Sequence, residues 1–89
     1  MEQPRYKTDD TPLAAYLFLL GFKIIDIDYS EPRRCQFIFF DGGPEIRDAE
    51  HQYDIGKALV EPERYNKIYK RLARRVVTQT PWTEGVMNG

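Results

Sequence analysis

The side chains able to do chemistry are few and far apart. The chain has one cysteine, Cys35, and one histidine, His51. Nucleophilic catalysis needs a base beside the thiol and a third group to orient that base. Cys35 opens an alternating apolar stretch, Gln36, Phe37, Ile38, Phe39, Phe40. A buried, inert thiol is expected there, because activated thiols sit in exposed, electropositive surroundings. His51 stands among Glu50, Gln52 and Asp54, where a solvated ring is expected. Asp26 and Asp28 alternate along a β-rich stretch, which puts both on one face with their Cα atoms about 6–7 Å apart. With Asp41 or Glu45, that spacing suits Mg²⁺. A charged outward face that discourages pairing with another chain is the favoured reading. A Cys₂His₂ or Cys₄ zinc set is impossible with one residue of each kind. Asp41-Gly42-Gly43-Pro44 lacks the Gly-Lys-Ser/Thr ending of a phosphate loop, although two glycines ahead of a helix can accept an anion. No catalytic residue, metal ligand or cofactor follows from these residues, and the expectation is a protein that is not an enzyme.

The remaining chemical signal is basic. After Pro62 the chain carries Arg64, Lys67, Lys70, Arg71, Arg74 and Arg75, against the single acid Glu63. Tyr65, Ile68 or Tyr69, Leu72 and Val76 recur at helical spacing in the same segment, so one face is apolar and another cationic. Such a helix can lie along a phosphate backbone or against an acidic protein surface, including a second copy of this chain. Cations near a helix C-terminus also favour its dipole and keep it soluble. The whole chain has 13 basic and 14 acidic residues, so the charge is local and a wholly basic binder is excluded.

The elements that must position these residues follow from punctuation and period. At 89 residues the chain allows one domain with a small core. Residues 1–10 lack periodicity and read as a flexible N-terminal arm. Thr11 and Pro12 start a helix by capping and by the N1 preference of proline. It runs through Leu13, Leu17 and Leu20, with Ala14 and Phe18 beside them, and stops at Gly21. Being apolar nearly all round, it is expected to be the central helix. Residues 22–41 read as a β-hairpin turning at Pro32, with Ile25, Ile27 and Tyr29 on one side and Asp26 and Asp28 on the other. Asp41 or Gly43 caps a second helix started by Pro44, with Ile46, Ala49 and Tyr53 as its stripe and Gly56 as its close. Ala58-Leu59-Val60 is too short for a helix and is expected as a short third strand. The last helix runs from Pro62 to Val77, and residues 78–89 read as a tail. The fold class is α+β, in the order helix, strand, strand, helix, short strand, helix, with residues 11–77 as the single domain. One cysteine, no apolar leader and a longest apolar run of residues 13–20 lead to the expectation of a cytoplasmic protein without a membrane span.

Several pieces together resemble a small domain family of unknown function found in phages and mobile elements. They are Lys7-Thr8-Asp9, Ala15-Tyr16-Leu17 through Gly21-Phe22, the strand beginning at Cys35, and Tyr53-Asp-Ile-Gly56-Lys-Ala-Leu59-Val60-Glu-Pro62 with Tyr65 following. The resemblance covers about residues 6–76 and implies a phage-type protein working in a bacterial cytoplasm, with no activity to carry over. The first expectation for function is a non-catalytic interaction protein that binds a host or phage protein surface. Phe18, Phe40 and Trp82, large for so small a core, are its contact candidates. The alternative is a nucleic-acid-binding accessory using Arg64, Lys67, Lys70, Arg71, Arg74 and Arg75. No membrane partner is expected, and a homo-oligomer is left open.

Overall fold

The structure, a computed structural model, describes residues 4–31 and 33–82. It has three helices and a three-stranded antiparallel sheet in two layers, which is the expected α+β class. The elements in chain order are β1 (Arg5–Thr8), α1 (Thr11–Leu19), β2 (Ile24–Asp28), β3 (Gln36–Phe40), α2 (Glu45–Asp54) and α3 (Pro62–Thr78). The strand order is β1-β3-β2, so β3 is inserted between two strands that precede it in sequence.

The third strand comes from the opposite end of the chain to the one expected. Residues 57–61 form no strand, and Arg5–Thr8 pairs with β3 in its place. The expected arm is therefore part of the sheet from Arg5 onward, while residues 1–3 lie outside the described residues. The reason is register. Tyr6 pairs with Phe39 and Thr8 with Phe37, which turns Tyr6 into the core at 8% exposure and leaves Arg5 and Lys7 outside. Tyr6 then donates its hydroxyl proton to Glu50 and fastens β1 to α2. Ala58 and Val60 still pack on the core, with Leu59 between them 90% exposed. The three side chains alternate as a strand's would, but they line an extended connection.

Phe37 and Phe39 of β3 are fully buried, with Ile24 and Ile27 of β2 beside them. Both isoleucines reach the core because of a bulge between Ile24 and Asp26. Strict alternation would put Ile24 and Ile27 on opposite faces, and the extra residue resets the period. Helix α1 is central, as its composition requires: Leu13, Ala14, Ala15, Tyr16 and Leu17 are all buried. Leu20, expected on that stripe, instead forms the C-cap and is 49% exposed. The N-cap is Asp10, not Thr11, and its carboxylate accepts from the Leu13 N–H at 3.2 Å. Helix α2 buries Ile46 and Ala49 and sets Tyr53 against Tyr16, ring centroids 5.9 Å apart.

Helices α1 and α2 end alike. The Gly21 and Phe22 N–H groups return to Phe18 and Leu17 carbonyls, and those of Gly56 and Lys57 to Tyr53 and Gln52. These are Schellman closures, and they require the positive φ that glycine reaches without strain, here +103° and +77°.

Candidate functional site

Helix α3 starts on a strong cap. The Glu61 carboxylate accepts from the Glu63 N–H at 3.1 Å and the Arg64 N–H at 2.7 Å, and Pro62 occupies the first turn. Those bonds, the Arg64 one first, hold the Glu61 carboxyl below its ordinary value, with the Arg64 and Lys67 cations adding to the effect. The helix docks through one stripe. Leu72 is fully buried, Tyr65, Ile68 and Val76 are half-buried against the core, and the Tyr65 hydroxyl donates to the Pro12 carbonyl at 3.2 Å. Tyr69 is 37% exposed and stacks on Tyr65 with ring centroids 6.3 Å apart.

Docking by that stripe turns the cations outward. At 100° per residue the six basic residues fall within an arc of about 140°, next to the apolar stripe and not overlapping it. The structure divides them. Arg64, Lys67, Lys70 and Arg74 are exposed, while Arg71 and Arg75 are half-buried. Lys70 and Arg74 make no side-chain ion pair among the described residues. Arg64 to Arg74 spans about 15 Å of helix axis, with neighbours one turn apart. The face is therefore a narrow cationic row without an apolar centre, with the acid Glu63 at its N-terminal end and the exposed Val77 at its C-terminal end. Arg75 belongs to it by angle but is engaged elsewhere: its guanidinium lies over the Trp82 ring at 4.9 Å, and Nη1 donates to the Pro81 carbonyl at 3.0 Å.

The other sequence candidates are dispersed. Phe18 and Trp82, expected as separate contact points, touch each other edge to face at 5.9 Å, and both are half-buried. Their size in a small core is explained by that mutual packing. Residues 79–82 thus pack back on the domain, and residues 83–89 of the expected tail lie outside the described residues. Phe40 sits on the open face of the sheet at 41% exposure. Beside it is a cleft of about 330 Å³ whose lining includes Gly21, Phe22, Phe40 and Ile46.

The carboxylates considered for metal are occupied by the backbone. Asp26 accepts from the Ile27 N–H at 2.8 Å and Asp28 from the Ser30 N–H at 2.9 Å. The Ser30 backbone N–H, followed by its side chain, holds the Asp28 carboxyl below its ordinary value. Asp41, considered both as a metal ligand and as a cap of α2, instead pairs with Arg47 at 3.1 Å. Pro44 stands at the N-cap with no side-chain hydrogen bond. Among the described residues no group of three His, Cys, Asp or Glu side chains comes together. Cys35 is buried in the core at 7% exposure, and His51 is exposed on α2.

Besides the bonds of Tyr6 to Glu50 and of Tyr65 to Pro12, sequence reasoning missed two polar anchors. Arg34 donates to Asp9 at 2.7 Å, and this bond holds Asp9 below its ordinary value. The Tyr29 hydroxyl is 3.0 Å from the Arg75 carbonyl and 2.6 Å from that of Thr80. Both join residues far apart in sequence, so no local pattern marks them.

With this geometry in place, residues 3–78 match a family described as a domain of unknown function, DUF5659. The chain belongs to the DUF5659 family. No curated protein and no solved structure matches it. The matched residues of this DUF5659 domain take in β1, all three helices and the segment from Tyr53 to Tyr65 that carries the resemblance noted above. No helix of the described residues is long and apolar enough to cross a membrane.

Proposed function

We propose that this DUF5659 chain is a non-catalytic accessory protein that binds the backbone of a nucleic acid along α3. The observation that carries this reading is the exposed row of Arg64, Lys67, Lys70 and Arg74 on a helix docked by its opposite stripe. Protein interfaces deplete charge at their centres and enrich aromatic and aliphatic anchors, and the centre of this row has none, the exposed Val77 lying beyond its C-terminal end. A polyanion needs only the row: about 15 Å of duplex presents roughly nine phosphates, one per about 1.7 Å of axis. The negative overall charge is no obstacle, because acids such as Glu45, Asp48, Asp26 and Asp28 lie on other elements.

Anisotropy of labelled DNA and RNA against salt tests this. Four neutralised phosphates give a slope of log affinity on log salt near −3.6, at about −0.9 per contact. Changing Arg64, Lys67, Lys70 and Arg74 to Ala should abolish binding. Undiminished binding in that variant, or none by the parent at low salt, sinks the reading.

A second reading has its own support. Leu59 is 90% exposed and Phe40 41%, which fits a non-catalytic protein that occupies a host or phage protein surface in a bacterial cytoplasm. Capture of a defined partner after nuclease treatment, lost in Leu59→Ser or Phe40→Ser, supports it. Capture unaffected by either change removes these contact points.

A further inference from the structure

Residues 79–82 fold back on the end of α3 as a strap. Beyond the helix-end bonds of Thr80, to the Arg75 carbonyl through its N–H and to the Thr78 hydroxyl, they are fastened at three places. The Arg75 guanidinium covers the Trp82 ring and donates to the Pro81 carbonyl. Trp82 meets Phe18 at an interplanar angle of 86°. The Tyr29 hydroxyl reaches the Thr80 carbonyl. Two features work against the strap. It begins at Gln79, whose φ of +53° is the only positive value at a non-glycine among the described residues, and a Cβ makes that conformation strained. The Trp82 indole N–H is buried with no hydrogen-bond partner, and an unsatisfied buried donor is destabilising.

We propose that the strap regulates the cationic face: a phosphate backbone seated on α3 takes Arg75 from Trp82 and Pro81, and the strap lifts as it binds. This rests on the reading of α3 as a nucleic-acid interface. Held over the indole and on the Pro81 carbonyl, the half-buried Arg75 guanidinium is kept at the strap and off the exposed row, and a phosphate seated on that row draws it away. The closed strap therefore withholds one cation from the row. Lifting it adds that cation, releases the indole N–H to water and uncovers Phe18. By linkage, a weaker strap means tighter polyanion binding and a tighter strap means weaker binding.

The test follows a short labelled DNA duplex by anisotropy at low salt, and the strap by the emission of Trp82, the only tryptophan in the chain. Binding is expected to shift that emission to the red with the same midpoint as the anisotropy. Trp82→Ala should raise affinity about threefold by linkage and steepen the salt slope by about 0.9, one further phosphate. Trp82→Phe keeps the ring, removes the orphan donor and should lower affinity. Arg75→Ala should lower it as well. Duplex binding with unchanged emission, and parental affinity in both Trp82 variants, overturns the strap and leaves the α3 reading standing. Absence of duplex binding overturns both.

Discussion

Tyr6 shows how one hydroxyl can set a pH limit. Burial first, and then its hydrogen bond to Glu50, keep its proton on well above the ordinary value of 10.0. The folded state therefore holds a proton that the unfolded chain releases near pH 10. The stabilisation is complete below that pH and is lost as pH rises through the folded value. Tyr6→Phe should cost about 1 kcal/mol at neutral pH, the scale of one hydrogen bond whose acceptor water can partly resolvate. It should also flatten, without abolishing, the fall in urea midpoint above pH 10, because burial raises Tyr29, Tyr53 and Tyr65 too. An alkaline limb identical in parent and variant would contradict this. Asp26 supports a second expectation. The pairing of β2 with β3 turns the Ile27 N–H outward on the sheet's edge, where the Asp26 carboxylate covers it. Asp26→Ala uncovers a donor on an open edge, and concentration-dependent self-association should appear in sedimentation. A variant that stays in the parent's association state at every concentration would refute the role. The sequence placed Asp26 on an outward face, and that was legible from alternation. Its bond to the next residue's amide was not, because the bulge that aims it depends on β3.

At the scale of elements, α3 is centred on one side chain, with Tyr65, Ile68 and Val76 packed around it. Leu72 is its one buried residue, and Leu72→Ala should cost about 3 kcal/mol in urea unfolding, as deletions of buried leucine do. Its cap makes an acid limb. The Glu61 carboxyl is held below its ordinary value of 4.5 by the Arg64 and Glu63 amides. Its contribution is therefore present above about pH 4.5 and is lost as pH falls through the lower folded value. Glu61→Gln keeps an acceptor without the charge, so its stability should be flatter than the parent's between pH 5 and pH 3, about the range of carboxylate titration. Equal slopes would remove the assignment. The helices were legible because their signals are local: Pro12, Pro62, Gly21, Gly56 and a stripe at helical spacing. The source of the third strand was not. Arg5–Thr8 has no apolar alternation beyond Tyr6, and it becomes a strand only because β3 offers an unpaired edge. Residues 58–60 carry the stronger local pattern, yet they use it to pack an extended connection.

Across the whole molecule, both layers carry charge of both signs. The helix layer carries the cationic row of α3 and, on α2, the exposed acids Glu45, Asp48 and Asp54. The sheet's open face carries Arg5 and Lys7 on β1, Ile38 and Phe40 on β3, and Asp26 and Asp28 on β2. Ile38 is only 5% exposed even though it faces away from the helices, since Lys7 and Asp26 stand opposite it on its two neighbours. The cationic row itself could be read from the sequence. Its division into exposed members and a withheld Arg75 could not, because Trp82 reaches Arg75 through a reversal at Gln79 that no composition reveals. The insertion of β3 between β1 and β2 has a consequence for amide hydrogen exchange. Phe37 and Phe39 bond toward β1, and Ile38 toward β2, so β3 has both edges satisfied, while the Arg5 and Lys7 amides point away from the sheet. Deuterium should therefore enter at Arg5 and Lys7 within the dead time and reach Phe37, Ile38 and Phe39 only by global opening, whose free energy should match that from urea. Residue-resolved exchange would show one slow strand flanked by two with alternating fast and slow amides, and uniform protection across β1 would be inconsistent with this pairing.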